Sequence, residues 1–250
     1  MPTTARKSFD EVFRSIADVE GWMTRAQAVR LWDRASQLAA GDVIVEIGSF
    51  RGRSAIVLAS GSPDGVEVVT IDPHGGTDRG PQQIAGFEEE GEADHRAYVA
   101  NLAAAGVTAK VRHVRLPSHE ALPEVPGEVA LLYIDGAHRY APALTDIREW
   151  GSKVAPGGTL LIHDCFSSVG VTLALATDLF ASDRFRYVGR SGSLAEYRRG
   201  HLSRGERARN LARQVAELPW FVRNVVIKVL LVLRLPGVAK LLGSDGSWPY

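Results

Sequence analysis

Cysteine is all but missing from this chain. Cys165 stands alone, which excludes an internal disulfide and any zinc site built on paired cysteines, and a lone thiol suits a reducing cytosol. Neither sign of charge is in excess, because 29 Lys and Arg face 29 Asp and Glu. A nucleic-acid binder normally carries a basic surplus or stripe, so nucleic acid is not expected as a partner. No apolar run reaches the roughly 20 residues that a bilayer-crossing helix needs. The greasiest stretch, 225–233, is interrupted by Lys228 and flanked by Arg223 and Arg234. Residues 1–10 are polar, without the apolar core of a secretory signal. Low-complexity tracts and solenoid repeats are absent as well. What is present is an ordinary globular composition, 45% hydrophobic and 23% charged, in 250 residues, enough for one large domain with appendages.

The pattern along the chain predicts an α/β fold of the Rossmann-like, doubly wound kind. Residues 8–40 read as two helices parted by Gly21, with Ser8 and Glu11 forming a capping box and Thr24 capping the second helix. Residues 43–47 form a short apolar run ending in glycine, as expected of a strand buried on both faces. Further strands are predicted at 66–71, 109–114, 129–134 and 159–162, with helices at 54–60, 87–105 and 142–154 between them. Strands alternating with helices imply right-handed crossovers and a parallel sheet covered on both sides. Residues 185–188 and 193–197, joined around Gly189 and Gly192, read as a closing antiparallel hairpin that completes a seven-stranded, mostly parallel sheet. The expected organisation is a helical cap over 1–40, a ligand-binding domain over 41–199 and a helical extension over 200–250. Residues 74–92 are polar and glycine-punctuated; after a strand end, such a segment is a lid or acceptor loop, or a plain solvated loop.

In open parallel sheets, ligands bind beyond the carboxyl ends of the strands. Gly48 follows the first strand there and lets backbone approach a ligand closely. Asp72 ends the second strand, where a carboxylate can accept from both hydroxyls of a ribose. Glu46 is an acid inside an apolar run, costly unless it faces a cation or a donor. The loop reads Glu46-Ile47-Gly48-Ser49-Phe50-Arg51-Gly52 and lacks the glycine that lets a pyrophosphate approach, which counts against a nicotinamide-linked oxidoreductase.

The stretch Glu46-Ile47-Gly48-Ser49-Phe50-Arg51-Gly52-Arg53-Ser54 resembles the first motif of class I S-adenosylmethionine (SAM)-dependent methyltransferases. Ile134-Asp135-Gly136-Ala137-His138-Arg139-Tyr140, Asp146-Ile147-Arg148-Glu149-Trp150, Pro156-Gly157-Gly158 and His163-Asp164 are similar to the series that marks the methyltransferase 24 branch. Gly21-Trp22-Met23 ahead of the first strand is also similar, so the resemblance spans about 21–198. It implies that Glu46, Gly48 and Ser49 line the methionine and ribose end of SAM, that Asp72 holds the ribose and that Ser118 lies by the adenine. The alternative for Ser118 is a helix cap.

For a methyltransferase, the protein has to align a nucleophile with the methyl carbon and remove its proton. Asp135, His138 and Asp164 fall at the carboxyl edges of neighbouring strands and converge on one pocket. Asp135 and Asp164 are the expected ligands of a divalent cation, Mg²⁺, that lowers the pKa of the acceptor hydroxyl. Asp135 doubles as a cofactor contact, and His138 is the general base or a further ligand. Catechol-type relatives place Asp-Asn where this chain has Asp164-Cys165, and sulfur is a poor partner for a hard cation, so metal-assisted and metal-free transfer both stand. His163 reads as a packed strand histidine, and Tyr140 and Trp150 as core.

The expected function is O-methylation of a small-molecule hydroxyl, with a sugar as first acceptor and a polyketide or aromatic hydroxyl as second. The rivals are the oxidoreductase and a non-catalytic SAM-binding scaffold. Past residue 200, a run of arginines precedes Pro219-Trp220-Phe221 and an apolar helix. This extension packs on the domain or on a second subunit of a homo-oligomer, or else makes peripheral contact with anionic lipid or docks a biosynthetic partner; its Lys and Arg positions from Arg223 onward do not collect on one helical face, which counts against an amphipathic anchor.

Overall fold

The computed structural model describes residues 7–76 and 87–244. Helix α1 (Phe9–Ser15) opens with the Ser8–Glu11 capping box, and α2 (Arg25–Ser36) opens with one made by Thr24 and Gln27. Strand β1 (Val43–Ile47) leads through a loop into α3 (Arg53–Gly61) and β2 (Glu67–Ile71). Helix α4 (Glu88–Ala105) ends on Gly106 in the left-handed region and leads to β3 (Val111–Val114). Strand β4 (Val129–Ile134), α5 (Tyr140–Lys153), β5 (Val154–Ile162) and α6 (Val169–Asp178) follow. The hairpin β6 (Phe185–Ser191) and β7 (Leu194–Arg199) closes the sheet before α7 (Arg204–Val215), α8 (Leu218–Val232) and α9 (Pro236–Leu241).

The seven strands run in the order β3-β2-β1-β4-β5-β7-β6, with β7 antiparallel to both neighbours. The order reverses between β1 and β4, and that switch point aligns the ends of both strands at one crevice. Side chains alternate between two apolar layers. Ile44, Val68 and Leu131 face a core shared with α1 to α4, whereas Val45, Val69 and Leu132 face one shared with α5 and α6. The N-terminal helices are tied to the far side of the sheet by a buried carboxylate: Glu196 on β7 accepts from Arg34 Nε at 2.7 Å and also pairs with Arg30.

Several boundaries differ from the sequence reading. Residues 108–110 form a 3₁₀ turn, so β3 starts later than expected. The hairpin strands extend through Gly189 to a turn at Gly192, with an irregularity between Tyr187 and Gly189. Helix α6 was not foreseen at all. It is apolar nearly all round, Leu173 standing exposed while Leu175 is buried, so its residues show no 3.6-residue alternation to detect. Of the 74–92 segment, residues 77–86 lie outside the described residues, and the lid expectation goes with them.

The arginines that open the C-terminal extension fasten it rather than form a patch. Arg199 donates to the Gly151 and Ser152 carbonyls at the end of α5, Arg207 to Ala181 and Arg213 to Tyr187 and Val188. Buried Asn210 accepts from the Tyr187 amide at 2.7 Å, which locks α7 onto β6.

Candidate active site

At the carboxyl edge of the sheet a cavity of about 800 Å³ opens between the two ends of the chain. Gly48, Phe50, Asp135, His138, His163 and Asp164 come to it from the strand ends. Trp22 and Met23 wall one side and Val225, Lys228 and Val229 of α8 the other. The backbone here is dense. Gly48 has φ +85°, and a Cβ on it would sit 2.1 Å from the Asp135 carbonyl oxygen, so only glycine lets β1 and β4 approach this closely. Phe50, His74, Asp164 and Phe166 also hold left-handed φ values between 45° and 58°, which cost non-glycine residues about 1 kcal/mol or more each and gather at functional edges.

The β4/β5 side of the cavity is a network of ions. Asp135 accepts from the buried Tyr133 hydroxyl at 2.7 Å. His163 Nδ1 lies 3.2 Å from both Asp135 and Asp164, and His138 Nε2 lies 2.7 Å from Asp164. The hydrogen bond to Asp164 lifts the His138 pKa above its usual value against the effect of burial. Burial alone would push His163 down, yet the two carboxylates together hold it well above the ordinary histidine range. Burial likewise opposes ionisation of Asp164, and the two imidazoles overturn it, keeping the carboxyl well below its usual range. His163 is therefore no mere packed strand residue. It sits one step past β5 as the wedge between both acids, although its position was legible only as half of the His163-Asp164 motif.

On the β1/β2 side opposite charges are farther apart, His74 Nδ1 lying 3.9 Å from Asp72. Glu46 is fully buried, and Ser54 donates to one of its oxygens while Oε2 has no partner. Burial pushes its pKa up to about 8, so the expected facing group is a hydroxyl donor and not a cation. The buried Ser49 hydroxyl is also unpartnered. Asp72 accepts from the Phe50 amide at 2.9 Å and the His74 amide at 2.8 Å, which leaves a lone pair on each oxygen. Behind it, His74, His95, His113 and Tyr98 stack as aromatic rings, with burial lowering His74 and taking His113 down to about 4.

The structure thus brings Gly48, Asp135, His138 and Asp164 to one cavity, sets Glu46 and Ser49 beneath the same rim, and leaves Asp72 and Ser118 off its lining. Ser118 caps no helix; its hydroxyl donates to Asp146 at 2.5 Å, and burial still raises the Asp146 pKa to about 6. Trp150 is fully buried core, as expected. Tyr140 is not core: as the first residue of α5 it projects from the sheet edge, 41% exposed, onto the cavity. Lys228 was missed as a site residue because its interruption of an apolar run served only to argue against a membrane span. Here its ammonium donates to Ser167 at 3.0 Å on the cavity wall.

Residues 45–165, just under half of the chain, match the methyltransferase 24 family model, described as a methyltransferase domain. Among solved structures, the chain is similar to an O-methyltransferase from Bacillus cereus in complex with S-adenosylhomocysteine (SAH), at 16% identity and TM-score 0.53, covering 80% of this chain and 93% of that one. It is similar to the cofactor-bound protein Rv0187 from MTB at 17% identity and TM-score 0.55, covering 78% and 88%. The O-methyltransferase NovP matches at 17% identity and TM-score 0.55, covering 70% and 80%. Identities this low carry the fold and nothing finer.

Proposed function

We propose that this chain, which carries a methyltransferase domain over 45–165, is a class I SAM-dependent methyltransferase that acts on a hydroxyl of a small molecule with a sizeable apolar body. The observation that carries this reading is the 2.7 Å His138–Asp164 pair set into a cavity whose walls include Trp22, Met23, Phe50, Val225 and Val229 beside the polar Glu20, Arg53, Ser167 and Lys228. A bare sugar would leave those walls unfilled, so a polyketide-like or aromatic natural product is favoured over a carbohydrate.

Two buried polar atoms without partners, Glu46 Oε2 and Ser49 Oγ, fit a ligand at the β1 rim. Glu46, Gly48 and Ser49 are assigned to the methionine and ribose end of SAM, Asp72 to the ribose hydroxyls, Ser118 to the adenine side and Asp135 to the methyl end. Bound SAM supplies an electrophilic methyl carbon on a cationic sulfur. The chain's own part is to hold the acceptor oxygen in line with that carbon and to take its proton. With Nε2 donating to Asp164, Nδ1 of His138 is the nitrogen that takes the proton, and Asp164 stabilises the imidazolium that results. As the oxygen bonds to the carbon, the carbon–sulfur bond breaks and its electrons stay on sulfur, leaving neutral SAH.

Asp135, His138 and Asp164 each place a donor atom within 4.8 Å of the others, the spacing expected of a divalent-cation site. The donor chemistry favours a metal-free reaction instead. His163 already bridges the two carboxylates, and Cys165 turns its sulfur to the Ile162 carbonyl at 3.1 Å. Mg²⁺ prefers near-octahedral oxygen ligands, and this set offers few that are not engaged. Transfer of tritium from labelled SAM to a panel of phenols, polyketides and sugars tests the reaction class, and titration calorimetry with SAH tests the cofactor. Activity unchanged in excess EDTA is expected; abolition by EDTA and rescue by Mg²⁺ would restore the metal to Asp135 and Asp164.

A further inference from the structure

Helix α8 is apolar on two faces. Its inward face buries Ile227 together with polar groups: Asn224 is fully buried and donates to the Phe166 carbonyl at 3.2 Å, and Lys228 donates to Ser167. Its outward face, Val222, Val226, Val229 and Leu233 at the i, i+4, i+7, i+11 spacing of one helical stripe, is wholly aliphatic and exposed. The stripe continues into α9, where Leu241 is 85% exposed. Of the sixteen large hydrophobic residues exposed among the described residues, nine fall within 222–242, a concentration far from the scattered single exposures of an ordinary surface.

From this face we infer that the α8–α9 segment docks on an anionic phospholipid surface, with its valine and leucine side chains in the headgroup–acyl boundary. The charge pattern selects this occupant. Residues 218–244 contain no Asp or Glu, and of their four basic residues Arg234 and Lys240 are exposed, while Lys228 turns inward to Ser167 and Arg223 donates to Leu242. Pairing two copies through this face would bring Arg234 and Lys240, both exposed, into a shared apolar interface with no acid on the segment to neutralise them. Anionic headgroups neutralise them directly, and basic side chains flanking a buried aliphatic stripe are the composition that interfacial helices use. No helix among the described residues is long and apolar enough to cross a membrane, so the contact is peripheral.

Docking this way sets the cavity mouth against the lipid, because Val229 belongs both to the exposed stripe and to the cavity wall. The inference rests in this respect on the proposed reading of the cavity and deepens it. The acceptor becomes an amphiphile that enters from the interface, hydroxyl first, its apolar body trailing past α8.

The test is co-sedimentation of the full chain with phosphatidylcholine vesicles, with and without phosphatidylglycerol. The chain is expected to pellet with the anionic vesicles and to stay in solution with the neutral ones. The double variant Val222→Glu/Val226→Glu, neither residue lining the cavity, is expected to cut vesicle partitioning about tenfold or more while SAH binding in calorimetry is unchanged. Arg234→Glu/Lys240→Glu, which touches no packed side chain, provides a second, electrostatic arm expected to fall in the same direction. Failure of the wild-type chain to pellet with anionic vesicles overturns the inference, as does a concentration-dependent dimer in sedimentation velocity that the valine double variant dissociates. Wild-type chain that binds SAH but no vesicles removes the docking alone, whereas chain that binds no SAH removes the reading of the cavity.

Discussion

Two halves of one sheet edge, equally deep and only a few strands apart, handle their titratable groups in opposite ways. At the β1/β2 end, Glu46, His74 and His113 are each shifted toward the neutral form, because burial there outweighs any opposite charge, even that of Asp72, 3.9 Å from His74. At the β4/β5 end, Asp164 and His163 are just as enclosed and His138 is partly exposed, but all three sit within 3.2 Å of opposite charges, and each is shifted toward its ionised form. Burial alone therefore does not decide the charge state of a group in this fold; the adjacent partner does.

The strongest way to break this contrast is to take the base out of the ionised half. His138→Ala is expected to lower kcat by about 10²- to 10³-fold with SAH affinity in calorimetry unchanged, and near-normal turnover would dismiss His138 as the base. Asp164→Asn probes the same pair through pH. His138 acts as a base only when deprotonated, and Asp164 raises its pKa. The acid limb of the wild-type kcat/KM profile is thus expected above pH 6.5 and should move downward in the variant.

Next in size is the hinge between the halves. Gly48→Ala combines a left-handed φ with a contact of 2.1 Å to the Asp135 carbonyl oxygen, and a loss of about 2–4 kcal/mol is expected in denaturant unfolding. A loss well under 1 kcal/mol would mean that β1 and β4 can part without consequence.

The smallest effect sharpens the neutral half. The folded pKa of Glu46, about 8, lies above its unfolded value near 4.5, so its contribution to stability is full at low pH and is lost as pH rises through 8. Wild-type chain should lose about 1 kcal/mol from this group between pH 7 and 9, read as a falling Tm, and Glu46→Gln should flatten that fall. An equal fall in both would show that Glu46 is already ionised at neutral pH.

The sheet was legible in the sequence because buried parallel strands are short apolar runs, and 43–47 and 129–134 match β1 and β4 residue for residue. Helix α6 was not, because a helix apolar on every side has no period. Among cavity residues, Asp135, His138 and Asp164 were visible as polar groups at strand ends, the edge where parallel sheets gather ligands. Tyr140 was misjudged, since one residue of offset from a helix terminus separates core from cavity and patterns do not resolve it, whereas His163 is packed as expected and only its bridging of two acids went unforeseen. Lys228 depended on where a helix some ninety residues past β4 comes to rest, which no local pattern encodes.

The cavity draws its walls from separate parts of the chain. Gly48 and Asp135 belong to the central sheet, whereas Trp22 and Met23 precede it and Val225, Lys228 and Val229 follow it. If those outer walls select the acceptor, as proposed, its choice can drift by exchanging either flanking segment while the strand ends stay intact, which makes the two segments natural units for recombination and for engineering a new selectivity.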